Sequence, residues 1–171
     1  MTVPDMTVPN TARVDATDAT EALYLRHGDE LMRFATSLVG PSDAADLVSV
    51  AFVGAMSSGT LATAEHPRAY LYRCVLNAAR SNARSGGRRR LREDRDAALQ
   101  PTTTSGPDTD PEVWAALGKL SERQRAVVYL TYWMDLAPTA IAELLDLSTG
   151  SVKKHLDRGR AALRTTLGDL R

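Results

Sequence analysis

One cysteine, Cys74, is all the chain has, which excludes an intramolecular disulfide and any zinc site built from several cysteines. The three histidines, His27, His66 and His155, are scattered rather than set at metal-ligand spacing, so neither a structural metal nor a cofactor is expected. No apolar run approaches the roughly eighteen residues that cross a bilayer, and the N-terminus lacks the basic-then-apolar layout of a secretory signal. The expectation is a cytosolic protein without a membrane span. Period-two alternation with hairpin signals is also missing, so no sheet is expected. What remains is a 43% hydrophobic fraction over 171 residues, enough to pack one medium domain or two small ones.

Net charge is zero, but the charges are segregated. Residues 1–65 hold 9 acids and 3 bases, residues 66–95 hold 2 and 9, residues 96–122 hold 5 and 1, and residues 123–171 hold 5 and 8. The two basic blocks suit a polyanion, and the acidic segments would be repelled from it. Two anchoring zones separated by a spacer are expected.

Residues 1–17 carry a tandem MTVPD/MTVPN and no periodicity, so they read as a disordered tail in which Met6 offers an alternative start. From Asp18 the period becomes helical, with Tyr24, His27, Leu31, Phe34, Ala35 and Leu38 on one stripe and Gly40-Pro41 as a stop. Ser42 is placed to cap a second helix from Asp43 to about Ser58. Its Leu47, Val48, Ala51, Phe52 and Ala55 suffice for a core stripe, yet Val50, Val53 and Met56 add apolar surface on other sides. Such a helix is either buried from several directions in its own domain or keeps a face for a protein partner.

After a small-residue loop, Ser57–His66, a long helix opens at Pro67. Leu71, Tyr72, Val75, Leu76, Ala78 and Ala79 form its packing side, while Arg73, Asn77, Arg80 and Arg84 recur as a cationic ridge. Gly86-Gly87 interrupts it before a further arginine run. That run is a solvated face or a nucleic-acid backbone contact. Residues 96–109, rich in Thr, Pro, Ser and Gly, are a flexible linker. Beyond it Asp110 can cap a helix carrying Val113, Trp114, Leu117 and Leu120, and Ser121-Glu122-Arg123-Gln124 has the form of a capping box opening another, through about Met134.

The last segment, Leu136–Arg164, has helix-turn-helix spacing. Pro138 suits a first turn, Ile141, Ala142, Leu144 and Leu145 make one apolar face, and Ser148 can cap a second helix striped with Val152, Leu156 and Leu163. Thr149, Ser151, Lys153, Lys154, His155 and Arg158 are left facing outward, a set of hydroxyls and cations able to reach bases and phosphates in a major groove. Two packed helices with a polar outer face also occur in proteins that never touch nucleic acid. The fold class is all-α: an N-terminal helical domain at 18–95 and a helix-turn-helix bundle at 110–171, joined by the linker.

Three segments in order resemble the extracytoplasmic-function sigma factors of bacterial RNA polymerase. DAADLVSVAFVGAM (Asp43–Met56) is similar to the family's clamp-binding segment and PRAYLYRCVLNAAR (Pro67–Arg80) to its minus-ten helix. LSERQRAVVYL (Leu120–Leu130) with AIAELLDLSTGSVKKHLDRGRAALR (Ala140–Arg164) is similar to its minus-thirty-five reader. The resemblance implies a non-enzymatic subunit that binds core polymerase at its clamp helices, through Asp46, Ser49, Val50 and Val53, and at its flap. It implies minus-ten contacts by Arg68, Tyr72, Arg73, Asn77, Arg80 and Arg84, and a pocket for a flipped base among Ser57–His66 and the start of the Pro67 helix. The recognition-helix set would read the minus-thirty-five element of promoter DNA. Strand opening by capture of unpaired bases needs no nucleophile, since stacking is worth about 1–3 kcal/mol per base. A monomer is expected, with an anti-sigma factor as a further candidate partner.

Departures from the family pattern are Ala45, Ser49 and Val50, which make the clamp contact more apolar, and Tyr70 where Trp is common. Asp146 stands in place of the usual turn Gly, a residue type that tolerates left-handed backbone. Asp157 and Gly159 are less usual in that helix. The alternative is a free-standing helix-turn-helix regulator, which would bind an operator unaided, commonly as a dimer. A helical enzyme has little support: Cys74 lies on a packing side with no His placed to activate it, and Asp43 with Asp46 lacks a third ligand.

Overall fold

The computed structural model describes residues 11–93 and 111–168, and all the regular structure there is α-helical. The N-terminal region comprises α1 (Thr11–Val39), α2 (Pro41–Ser57), α3 (Thr60–Thr63) and α4 (Pro67–Glu93). The C-terminal region comprises α5 (Pro111–Gly118), α6 (Glu122–Tyr132), α7 (Pro138–Leu145) and α8 (Thr149–Gly168). The expected linker at 96–109, the Asp110 cap and residues 1–10 of the expected tail lie outside the described residues.

Several boundaries differ from the expectation, each for a local reason. Helix α1 starts at Thr11 rather than Asp18, because TARVDAT contains no Gly or Pro to break a helix even though it lacks an apolar stripe. The start of α2 is fixed by Gly40, at φ 87, and by Pro41 at the first position, with no side-chain cap; Ser42 therefore lies inside the helix. Gly86-Gly87 does not end α4, which continues to Glu93, since two helical glycines cost about 1 kcal/mol each without forbidding the conformation. The small-residue loop contains one helical turn, α3, held by buried Leu61.

Most residues of the expected stripes form the cores, but Tyr24 of α1 is 48% exposed, lying against Phe52 at the rim. Leu31, Phe34, Ala35 and Leu38 of α1 pack with Leu47, Val48, Ala51, Phe52 and Ala55 of α2 and Leu71, Val75 and Leu76 of α4, all buried. In the C-terminal region Leu117, Leu120, Val127, Val128 and Leu130 close over Ile141, Leu144, Leu145, Val152 and Leu156. Each fully buried Val, Leu, Ile or Phe contributes about 1.5–3 kcal/mol. Local signals add to this: Ser121 and Gln124 form both halves of the capping box on α6.

The two cores merge. Helix α1 lies against α6, and α4 against α6 and α7. Phe34 meets Tyr129 with ring centroids 5.8 Å apart and Tyr72 at 4.8 Å. At the same seam the Arg125 guanidinium donates to the Leu38 carbonyl in the last turn of α1, and to the Leu120 carbonyl at 3.0 and 3.1 Å. A helix leaves its last carbonyls unpaired and carries partial negative charge at that end, so a cation there satisfies both demands.

Candidate nucleic-acid and polymerase interfaces

The helix-turn-helix forms as its residues require. Asp146 ends α7 in the left-handed region, φ 54 and ψ 55, and the Leu147 N–H donates to the Ala142 carbonyl at 2.9 Å. Ser148 Oγ then accepts from the Ser151 N–H at 3.1 Å, capping α8. With Val152 and Leu156 buried, Lys153, Lys154 and Arg158 are exposed on α8, and Thr149, Ser151 and His155 are half-buried beside them. The Ser151 hydroxyl is hydrogen-bonded to that of Ser148 at 2.8 Å. His155 has an enclosed Nδ1 with no partner. Burial, and then the charges of Arg123, Arg158 and Lys154, hold its imidazole below the usual histidine range. A neutral ring suits a base edge better than a phosphate.

On α4 the expected minus-ten set divides. Tyr72 is fully buried between Phe34 and the seam, with its hydroxyl enclosed and unpaired; burial pushes that phenol up to about 12. It is a core residue, and the packing side on which the sequence placed it overrides the DNA contact implied by resemblance. Arg68 is engaged too: it grips Glu30 with two hydrogen bonds at 2.9 and 3.1 Å and lies over the Tyr72 ring. Burial alone would raise the Glu30 carboxyl, but the bonds and charge of Arg68, aided by His27, outweigh it and hold Glu30 below its ordinary value. Arg68 thus ties α4 to α1.

Arg73 and Arg80 are half-buried and Asn77 and Arg84 exposed, so the ridge exists. Its middle borders a cleft. Arg73, Leu76, Asn77 and Arg80 form one wall of a cleft of about 180 Å³ whose other wall is Arg123, Leu145, Asp146 and Leu147. Nothing in the linear pattern pairs Arg123 with this ridge, because their proximity arises only when the two regions meet. The small-residue loop has Gly59 at φ 68, and the Ser58 hydroxyl bonds to that of Tyr70 at 2.9 Å.

Helix α2 presents the second kind of surface. Val50 is 62% exposed, Val53 63% and Met56 48%, with Asp46 and Ser49 exposed alongside. Of the two accounts of this helix, burial from several sides does not hold for these three residues. Met56 joins the set the sequence offered for a protein partner. Cys74 is half-buried, and burial pushes its thiol up, which makes it a packing residue rather than a nucleophile.

A profile of sigma-70 region 2 matches residues 23–89, and one of sigma-70 region 4 matches residues 111–163. The RNA polymerase sigma-E factor of Streptomyces coelicolor is 34% identical over 148 residues, covering 81% of this chain and 80% of that protein. The chain belongs to the sigma-70 family, in its extracytoplasmic-function group. The extracytoplasmic-function sigma factor SigL of Mycobacterium tuberculosis is 29% identical over 172 residues, 93% of this chain and 97% of that one. The fold matches the sigma factor RpoE of Bartonella quintana, solved in complex with the anti-sigma factor NepR. The TM-score is 0.64 at 24% identity, over 88% of this sigma factor and 98% of RpoE. As a sigma factor the chain binds core RNA polymerase and directs promoter-specific initiation through regions 2 and 4; it is not an enzyme. No helix among the described residues is long and apolar enough to cross a membrane.

Proposed function

We propose that the outer face of α2, built from Asp46, Ser49, Val50 and Val53 with Met56, is the surface by which region 2 docks on the polymerase clamp helices. The observation that carries this is three large apolar side chains exposed together on a helix whose opposite side is fully packed. Aliphatic contact replaces the acidic and amide groups common at this segment, so the interaction depends on buried area more than on salt.

The exposed cations divide between two DNA elements. Lys153, Lys154 and Arg158 on α8, with Thr149, Ser151 and neutral His155, read the minus-thirty-five element from the major groove. Arg73, Asn77, Arg80 and Arg84 contact the minus-ten backbone, and the loop around Gly59, next to Ser58 and Tyr70, takes up a base drawn from the stack. Melting proceeds by capture. Region 4 contacts the polymerase flap, and the α2 face also suits an anti-sigma protein in competition with polymerase. The factor works in the cytoplasm as a monomer.

Val53→Asp tests the docking face. A charge in an apolar contact should weaken capture by core polymerase at least tenfold while helicity and melting temperature stay within error. Undiminished capture in a pull-down would reject the assignment.

A further inference from the structure

The cleft at the seam concentrates positive charge in a way that neither region needs by itself. Arg73 and Arg80 approach it from α4 and Arg123 from α6, while Asn77 adds an amide and Asp146 a single carboxylate. Among the described residues, Arg73, Arg80 and Arg123 have no carboxylate partner at bonding distance. The crowding is felt: burial, followed by the charges of Arg123 and Arg84, lowers the Arg80 guanidinium, with Glu122 acting the other way. Bringing α4 and α6 together therefore drives like charges into a partly desolvated space. A multivalent anion there would turn a cost of closing into a gain.

We propose that this cleft is a binding site for a small phosphate-bearing anion, held between Arg73 and Arg80 of region 2 and Arg123 of region 4, which fastens the two regions in the closed arrangement. Guanidinium groups suit this role because their planar donor forks match phosphate oxygens two at a time. The Asn77 amide can supply a further donor. The cleft volume of about 180 Å³ is below the roughly 300–1,000 Å³ typical of sites for drug-sized ligands, so the ligand is an ion of one or two phosphate groups rather than a nucleotide. Asp146, outnumbered three to one, opposes the anion at one edge. A DNA backbone offers the same phosphate chemistry, but it would need only the α4 ridge, whereas a bridging ion needs both walls.

The probe is inorganic pyrophosphate, titrated calorimetrically into the full chain at constant ionic strength, with scattering measured in parallel. Saturable one-site binding is expected, with the radius of gyration held at its compact value. Arg123→Gln and Arg73→Gln should each weaken binding at least tenfold while circular dichroism is unchanged. Heat no greater than that given by sodium chloride of equal ionic strength would overturn the proposal. So would an Arg123→Gln variant that binds as tightly as the parent, since the α4 ridge would then be acting alone. Capture by core polymerase is measured separately, so a negative result here leaves the docking assignment on α2 untouched.

Discussion

Gly159 illustrates how much a single position can carry. It is buried where α8 crosses α6, and a Cβ built there would lie 2.9 Å from Cγ2 of Val128, a branched, buried side chain with little room to turn. Overpacking of this kind costs about 1–3 kcal/mol, against the roughly 1 kcal/mol that alanine gains over glycine in a helix. Gly159→Ala should therefore lower stability by about 1 kcal/mol in a denaturant titration; an unchanged or higher midpoint would mean that the helices separate at no cost. From sequence the residue was visible only as an oddity in a recognition helix, since close helix approach is not written in any periodicity. Tyr72 was the converse. Its place on the packing stripe was legible, and resemblance pointed the other way, but the geometry of Phe34 and α1 decides for the core.

At the scale of elements, caps, breakers and apolar periods forecast most of what forms. Ser121 with Gln124, Pro138, Asp146 and Ser148 all act as their chemistry demands, because each effect is confined to one turn of chain. Helix ends that rest on weaker preferences, Thr11 and the passage through Gly86-Gly87, were not legible, since propensities of up to about 1 kcal/mol per residue are easily overridden. On α8 Lys154 is exposed and takes no part in the core. Lys154→Ala should weaken binding to the minus-thirty-five element by roughly 1 kcal/mol, measured with holoenzyme on a promoter fragment. A footprint indifferent to the change would move the reading face to another side of the helix.

For the whole molecule the deciding feature is the seam, which no local pattern announces. Its contacts join residues far apart in sequence, Phe34 to Tyr129 and Arg125 to Leu38, and it sets the end of α7 across a cleft from the middle of the α4 ridge. Arg125→Met keeps the apolar stem but removes the donor to the α1 carbonyl, a charged hydrogen bond worth about 1.5–3 kcal/mol. The variant should show a larger radius of gyration at unchanged helicity; an identical scattering curve would mean that the apolar contacts alone hold the seam.

Whether the chain gives core polymerase its promoter preference is read from transcription of a set of promoter fragments by purified core polymerase, with and without the chain. Discrete start sites that appear only when the chain is added, each preceded by a shared pair of sequence elements, are the predicted result. Failure to associate with core polymerase or to create any start site, together with tight binding of a duplex by the chain alone, would contradict it.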